Sequence, residues 1–169
     1  MIVAGGATAA VAANDRRTLG SFIDDETIEL KSRKALNSDA SLGENMNVNI
    51  TSVNGVVLRT GEATAAEQRD RAIADVREVQ GIRRIVNELR VAPISNLANR
   101  ANDGWLTSKA KARLIATKDI DSSQIKVVTE DSTIYLLGLV KKNEADVVTE
   151  AVRHVSGVRR VVKLFEYLD

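Results

Sequence analysis

The sequence predicts an α+β protein built from two small tandem domains, each with the element order α-β-β-α-β. An internal repeat is the first reason: residues 81–86 read Gly-Ile-Arg-Arg-Ile-Val, and residues 157–162 read Gly-Val-Arg-Arg-Val-Val. Upstream, Gly61 and Gly138 match at nearly the same shift, so the repeated unit spans about 70 residues. The second reason is that helical and strand-like apolar spacing alternate in the same order in both copies. We therefore expect two helices packed on a small three-stranded mixed sheet in each domain.

The first copy is expected at residues 21–92, behind a flexible tail at 1–20. Acidic residues at 24–26 predict the start of the first helix, because carboxylates favour the positive end of the helix dipole. Arg59 lies in a strand where the other copy has Leu136, and its role stays open between an unusual core residue and an interdomain contact. The predicted elements are a helix from residue 24, strands over 45–53 and 56–61 around a tight turn at Asn54-Gly55, a helix over 65–79 and a strand over 82–91.

The second copy is expected at residues 102–169, after a polar linker at 93–101. Its hairpin turn is predicted at Asp131-Ser132, and the apolar positions of its second helix repeat the buried positions of the first copy. The predicted elements are a helix over 103–117, strands over 124–130 and 133–140, a helix over 142–155 and a strand over 158–167.

Composition excludes several classes of function. The 24 Lys and Arg against 23 Asp and Glu leave a net charge of +1, which argues against a nucleic-acid partner. Without cysteine there is no disulfide, thiolate zinc site or cysteine nucleophile. The only histidine, His154, falls on a helix surface, and neither a phosphate-binding glycine loop nor a Gly-x-Ser-x-Gly elbow occurs. We predict no catalytic site, no metal site and no cofactor. The sequence also contains no run of 18 apolar residues, the length that a membrane-spanning helix needs.

The arginine pairs of the repeat, at 83–84 and 159–160, are interpreted as structural. Adjacent residues of a strand point to opposite faces, so neither pair can form a single basic patch. One arginine of each pair is expected to face outward and the other to cover the sheet or a helix end.

The repeated unit resembles a known family. A glycine closing the second strand and a helix-Gly-Val-x-x-Val-strand ending look like the BON domain. Two such domains behind a short tail resemble the dual-BON outer-membrane lipoproteins of Gram-negative bacteria. The segments 15–20, Asp-Arg-Arg-Thr-Leu-Gly, and 102–109, Asn-Asp-Gly-Trp-Leu-Thr-Ser-Lys, carry the closer likeness.

This resemblance implies phospholipid binding, a role in outer-membrane integrity under stress, an association with cell division, and a place on the periplasmic face of the outer membrane. It also implies a lipid anchor in the native precursor. The acylated cysteine expected for that anchor is absent from this chain, so either the anchor has been removed or this member is soluble.

A comparison of the two first helices locates the candidate site. On a helical wheel, Leu106, Ala110 and Leu114 cluster on the side that packs on the sheet. A different side of the same helix is apolar and is bordered by cations, whereas the first copy has polar residues at the matching positions. The predicted lipid-binding residues are Trp105, Lys109, Lys111, Ala112, Arg113, Ile115 and Lys118.

Two functions remain open for this surface. An apolar stripe with one tryptophan and flanking lysines suits an anionic bilayer, for which phosphatidylglycerol is the expected lipid. In this reading Trp105 and Ile115 insert and the cations contact phosphates. The alternative is a soluble periplasmic protein-binding module, chaperone-like or an assembly partner, that uses the same surface. Burial of Trp105 as a packing residue would exclude both.

Overall fold

The computed structural model describes residues 15–169, which contain four α-helices and two three-stranded sheets. Residues 19–96 form one compact unit, and residues 97–169 form the other together with residues 15–18. The helices and strands are α1 (Leu19–Ser38), β1 (Met46–Val53), β2 (Val56–Ala63), α2 (Ala66–Arg77), β3 (Arg84–Val91), α3 (Leu97–Ile115), β4 (Lys126–Glu130), β5 (Thr133–Val140), α4 (Lys142–Arg153) and β6 (Arg160–Tyr167).

Both sheets have the same mixed topology, which confirms the predicted α+β class. In the first unit β2 lies in the centre, antiparallel to β1 and parallel to β3. In the second unit β5 lies in the centre, antiparallel to β4 and parallel to β6. Two helices pack on each sheet, and each unit has its own apolar core. The largest core members are, in the first unit, Ile28, Leu36, Leu42 and Ile50, and in the second, Leu114, Ile134, Leu136 and Phe165.

The two matched glycines are needed because a neighbouring stretch of backbone comes too close for any side chain. A Cβ on Gly61 would lie 1.8 Å from the carbonyl oxygen of Asn47, and one on Gly138 would lie 2.3 Å from that of Gln124. Both glycines also have positive φ, at 123° and 152°. The recurrence of glycine here is therefore a requirement of the backbone.

Both first helices begin earlier than predicted. Helix α1 starts at Leu19, five residues before the predicted start at residue 24, and α3 starts at Leu97, inside the predicted linker. Thr18 and Asn96 directly precede these starts, and both residue types are favoured at the helix N-cap. At its other end α3 stops at Ile115, two residues before the predicted end at residue 117, and Lys118 lies in the turn that follows.

The acidic residue Asp25 has a different role from the predicted one. It is buried, and its carboxylate accepts hydrogen bonds from the backbone N–H of Asn54 at 2.6 Å and of Gly55 at 2.8 Å. The Ser52 hydroxyl donates to the same group at 2.6 Å. Asp25 therefore ties α1 to the β1–β2 hairpin turn and does not act on the dipole of its own helix.

Asp103 repeats this contact in the second unit. Its carboxylate accepts from the N–H of Asp131 at 2.9 Å and of Ser132 at 2.8 Å. These two turn residues have φ values of 48° and 59°, the left-handed region that costs energy for residues other than glycine. The two hydrogen bonds from α3 help to offset that cost, which allows a glycine-free turn where the first unit has Asn54-Gly55.

The first arginine of each pair holds the same turn from the other side. Arg83 donates to the carbonyl oxygen of Asn54 at 2.9 Å, and Arg159 donates to that of Asp131 at 3.2 Å. A structural role for these two arginines is confirmed, but they bind the hairpin turn instead of covering the sheet or a helix end, and both members of each pair are exposed.

The predicted flexible tail at 1–20 is wrong for its last residues, while residues 1–14 lie outside the described part. The Arg16 guanidinium donates two hydrogen bonds to the Glu144 carboxylate, at 2.6 and 2.7 Å, and a third to the carbonyl oxygen of Leu139 at 3.0 Å. Its backbone N–H donates to the Gln124 side chain at 2.9 Å. These bonds fasten the segment before α1 to the unit that contains α3 and α4.

The segment between β3 and α3 is likewise held in place. The buried carboxylate of Glu62 accepts from the Ser95 hydroxyl at 2.5 Å and from Arg90 at 3.0 Å. Burial acts to raise the pKa of Glu62, but hydrogen bonds from Ser95 and Asn47 outweigh it and lower the pKa. Glu62 is therefore kept charged as the anchor of this segment.

Candidate functional site

The outward side of α3 is apolar and exposed. The helix buries Asp103, Leu106, Ala110 and Leu114 against its own unit. Trp105 and Ile115 lie on the other side, 62% and 73% exposed. Neither residue is part of the described core, so their apolar surface needs another explanation.

The early start of α3 lengthens this surface by two turns. Leu97 is 83% exposed, and at about 100° per residue it falls on the same side as Ile115. The Ser108 hydroxyl donates a hydrogen bond to the carbonyl oxygen of Gly104 at 3.1 Å, which leaves little polar character in the middle of the face. We call this surface the α3 outer face and define it as Leu97, Ala98, Ala101, Trp105, Ser108, Ala112, Ile115 and Ala116.

Cations line both borders of the α3 outer face. At about 100° per residue, Lys109 and Arg113 lie along one border, and Lys111 lies along the other with Lys118 beyond the helix end. Arg100 joins the second border because the helix begins at Leu97; it was not predicted. Asp103 is the sole carboxylate between residues 97 and 118, and it is buried and bonded to the hairpin turn. The exposed charge of this stretch is therefore entirely positive.

Lys109 differs from the other cations because it is partly held in place. Its ammonium donates to the carbonyl oxygen of Ser156 at 2.5 Å and lies 5.9 Å from the centre of the Trp105 ring. A cation at this distance over a tryptophan is attracted by the ring face. An ammonium has three donors, so the bond to Ser156 leaves Lys109 able to bind a phosphate oxygen.

A groove lies beside the carboxyl end of α3, between α3 and α4. Its volume is about 1000 Å³, and it is lined on the α3 side by Arg113 and on the α4 side by Asp146, Val147 and Glu150. His154 lies at its edge, exposed, with Nδ1 2.8 Å from the carbonyl oxygen of Glu150. This agrees with the expected surface position of the histidine.

The first unit does not repeat the α3 outer face. Thr27 stands where the second unit has Trp105, and Lys34 stands where it has Ala112. The residues of α1 at the matching positions are polar, as the sequence predicts, but the outside of the helix as a whole is not, because Leu19, Ile23 and Leu30 are exposed at other positions. Each unit therefore has its own exposed apolar surface, and that of α1 escaped notice because the comparison covered only the positions that match Trp105 and its neighbours.

Two other kinds of site are absent from residues 15–169. No cluster of three or more His, Asp or Glu side chains is arranged to hold a metal ion. No helix in that range is both long enough and apolar enough to cross a bilayer.

Comparisons with known proteins add the family. The BON domain model matches residues 24–93 and 102–169. The chain is 36% identical to the outer membrane lipoprotein DolP of Haemophilus influenzae over 168 residues, which are 99% of this chain and 87% of that protein. It is 30% identical to a 21 kDa hemolysin of Actinobacillus pleuropneumoniae, covering 92% of this chain and 80% of the hemolysin. It is 26% identical to the osmotically inducible protein Y of Escherichia coli, covering 86% and 75%.

Proposed function

This chain belongs to the BON-domain family, with two copies of the domain and relatives among outer membrane lipoproteins, and we propose that it is a non-enzymatic protein that binds anionic phospholipid at the Gram-negative outer membrane. The second domain docks through the α3 outer face. Trp105, Ile115 and Leu97 enter the interface between headgroups and acyl chains, and the bordering cations contact phosphates. Phosphatidylglycerol is the expected lipid.

The observation that carries this proposal is the pairing of an exposed apolar helix face with borders of a single charge sign. Exposing large apolar side chains to water costs free energy, and a second phase that covers them removes this cost. A bilayer surface covers apolar groups and attracts cations at once, and each Lys or Arg near an anionic leaflet adds about 1 kcal/mol. An interfacial helix typically shows this combination.

The relatives support the cellular side of the proposal. One is named as an outer membrane lipoprotein and another as osmotically inducible, which fits an envelope protein that maintains the outer membrane barrier under stress. We place this protein on the periplasmic face of that membrane, with a lipid anchor in the native precursor and a role at the division site. The relatives are not members of an enzyme family.

Vesicle co-sedimentation tests the docking face. The chain should bind phosphatidylglycerol-containing vesicles and not neutral ones, and binding should weaken as salt is raised, because ionic attraction is screened. Trp105→Thr, which installs the residue of the first domain, should weaken binding about tenfold. Since Trp105 is the single tryptophan, its fluorescence should also shift to the blue on binding.

Matched controls separate docking from a general loss of surface. Tyr167→Ala removes an exposed aromatic ring from β6 of the same domain and should leave binding unchanged. Lys111→Glu should weaken binding, whereas Lys163→Glu, an exposed lysine of β6, should not. Equal binding of the chain and of Trp105→Thr to anionic vesicles would contradict the proposal.

A protein partner is the second candidate for the same surface. In that case the chain would ignore vesicles of either composition, while Trp105→Thr would still fold normally. The uniform positive charge of the borders favours the lipid, because an anionic leaflet offers negative charge on all sides of the face, whereas a protein partner would need a matching acidic surface.

A further inference from the structure

The first domain has an exposed apolar surface that the proposed lipid docking does not use. Leu19, Ile23 and Leu30 of α1 are 63%, 54% and 64% exposed. At about 100° per residue the three side chains lie within about 40° of one another, so they form one line along the helix. We call this line the α1 stripe.

The α1 stripe is not needed for the fold of its own domain. Helix α1 buries Asp25, Ile28, Ser32 and Leu36, which lie on the opposite side of the helix. The matching positions of α3 carry Leu97, Ala101 and Ser108, which belong to the α3 outer face, so this side of the first helix is exposed in both domains while its residues differ.

The charges beside the α1 stripe are divided along the helix. Exposed Asp24 and Glu26 lie in the amino-terminal half, and exposed Lys31, Arg33 and Lys34 lie in the carboxyl-terminal half. The carboxylate of Glu29, half-buried at the midpoint, lies 3.5 Å from the guanidinium of Arg33 in the same helix. The helix dipole does not account for this division, because its effect is confined to the terminal turns and neither the first nor the last turn of α1 has a matching charge. A surface with both signs also suits an anionic membrane poorly. In an antiparallel pair of such helices, the acidic half of each helix faces the basic half of the other.

We propose that α1 pairs antiparallel with α1 of a second copy of this chain, with the two-fold axis at the midpoint of the helix. Helix α1 spans residues 19–38, so the midpoint lies between residues 28 and 29. Leu30 of the second copy then sits at the level of residue 27, between Ile23 and Leu30 of the first. The six stripe residues of the two copies then follow one another along the contact at about 4–6 Å, at 1.5 Å per residue, and the two leucines at position 30 interlock at its centre.

The same axis brings opposite charges together on both borders. Glu26 and Arg33 share one border, and Glu26 comes within about 3 Å, measured along the axis, of the level of Arg33 in the second copy. Lys34 lies on the other border, and Asp24 and Lys31 lie farther around the same side, about 100–120° from the centre of the stripe; Asp24 comes within about 3 Å, along the axis, of the levels of Lys31 and Lys34 in the second copy. In an antiparallel pair each border meets the same border of its partner, so both contacts are favourable.

The pairing is expected to be weak in solution. One helix on each side is a small contact, at the low end of specific interfaces, so we expect a dissociation constant on the order of 100 µM. The proposal does not rest on lipid binding, and it is tested without lipid.

Charge exchange between two variants tests the pairing. Asp24→Lys with Glu26→Lys makes the helix surface basic throughout, and Lys31→Glu with Arg33→Glu and Lys34→Glu makes it acidic throughout. In sedimentation velocity at low salt each variant alone should be monomeric, with a dissociation constant raised at least tenfold. The equimolar mixture should associate at least as tightly as the unaltered chain. Circular dichroism of each variant checks that the exposed substitutions preserve the fold.

Leu30→Asp should abolish association, whereas Val147→Asp on α4, an exposed apolar residue of the other domain, should not. A monomeric unaltered chain at about 1 mM, or a mixture that fails to associate, would overturn the proposal. So would a dimer that survives Leu30→Asp, which would place the contact elsewhere. Loss of vesicle binding by Leu30→Asp without any dimer would identify lipid as the occupant. Dimerisation only after removal of residues 1–14 would identify the chain's own amino-terminal segment as the occupant of the α1 stripe.

Discussion

Arg59 occupies in the first domain the core position that Leu136 occupies in the second. It is 2% exposed on β2, and its guanidinium donates to the carbonyl oxygen of Ile73 in α2 at 2.9 Å, while Nε has no partner among the described residues. Burial lowers the pKa of Arg59, and the nearby charge of Arg77 lowers it further. The question left open by the sequence is thus answered for the first domain: Arg59 is a core arginine under α2.

Replacing this arginine by the residue of the other copy should stabilise the first domain. A buried cation without a carboxylate partner costs desolvation free energy, and exchange for a packed apolar residue is often neutral or favourable. We expect Arg59→Leu to raise the free energy of unfolding of the first domain by about 1–3 kcal/mol. Native-state hydrogen exchange at β2 amides reports that domain alone. The reciprocal change Leu136→Arg should destabilise the second domain, and a loss of stability in Arg59→Leu would show that the bond to Ile73 outweighs desolvation.

At the scale of elements, the contact between a helix carboxylate and a hairpin turn recurs in both domains. Asp103→Asn keeps the shape but replaces one accepting oxygen by a donor that faces an N–H of the turn. We expect the second domain to lose about 1–3 kcal/mol of stability, because a buried donor is left unsatisfied. Hydrogen exchange of the β5 amides, recorded as the urea concentration is raised, measures the stability of this domain. Asp119→Asn, an exposed change just after α3, is the control, and equal stability of the two variants would contradict the role of Asp103.

The elements show where sequence reasoning succeeds and where it stops. Strands and turns were predictable because alternation and the Asn54-Gly55 signal are local, and the repeat tested each assignment twice. The α3 outer face was predicted in part, since Trp105 and Ile115 stood out against the first copy. The starts at Leu19 and Leu97 were missed although Thr18 and Asn96 signalled them. The partners of Asp25 and Asp103 could not be predicted, because a carboxylate near a helix start has the same local pattern whether it serves its own helix or a distant turn.

At the scale of the whole molecule, the two compact units are not simply consecutive in the sequence. Residues 15–18 belong with residues 97–169, and the first domain lies between them in sequence. The bonds from Arg16 to Glu144 therefore join positions that are 128 residues apart. No local pattern predicts a contact at this separation. It places the segment before α1 on the domain that we propose docks on lipid.

Glu144 makes this contact depend on pH. Hydrogen bonds from the Arg16 guanidinium lower the pKa of Glu144 from 4.5 to about 2 in the folded protein. Because the folded pKa lies below the unfolded one, the stabilisation is fully present above about pH 4.5 and is lost as the pH falls toward 2. The contact is therefore intact at neutral pH and is released only in strong acid.

Glu144→Gln should remove this stabilisation at neutral pH. Neutral glutamine accepts a weaker hydrogen bond than a carboxylate does, so we expect the second domain to lose about 1–2 kcal/mol at pH 7. The loss should shrink as the pH falls from about 4.5 toward 2, where the unaltered Glu144 also becomes neutral. Trypsin should cleave after Arg16 and Arg17 faster in the variant, since the segment is no longer held. Asp146→Asn, which removes an exposed carboxylate from the same helix, should change neither stability nor cleavage. A stability difference between Glu144→Gln and the unaltered chain that stays constant from pH 7 to 2 would show that the ion pair with Arg16 does not hold this segment.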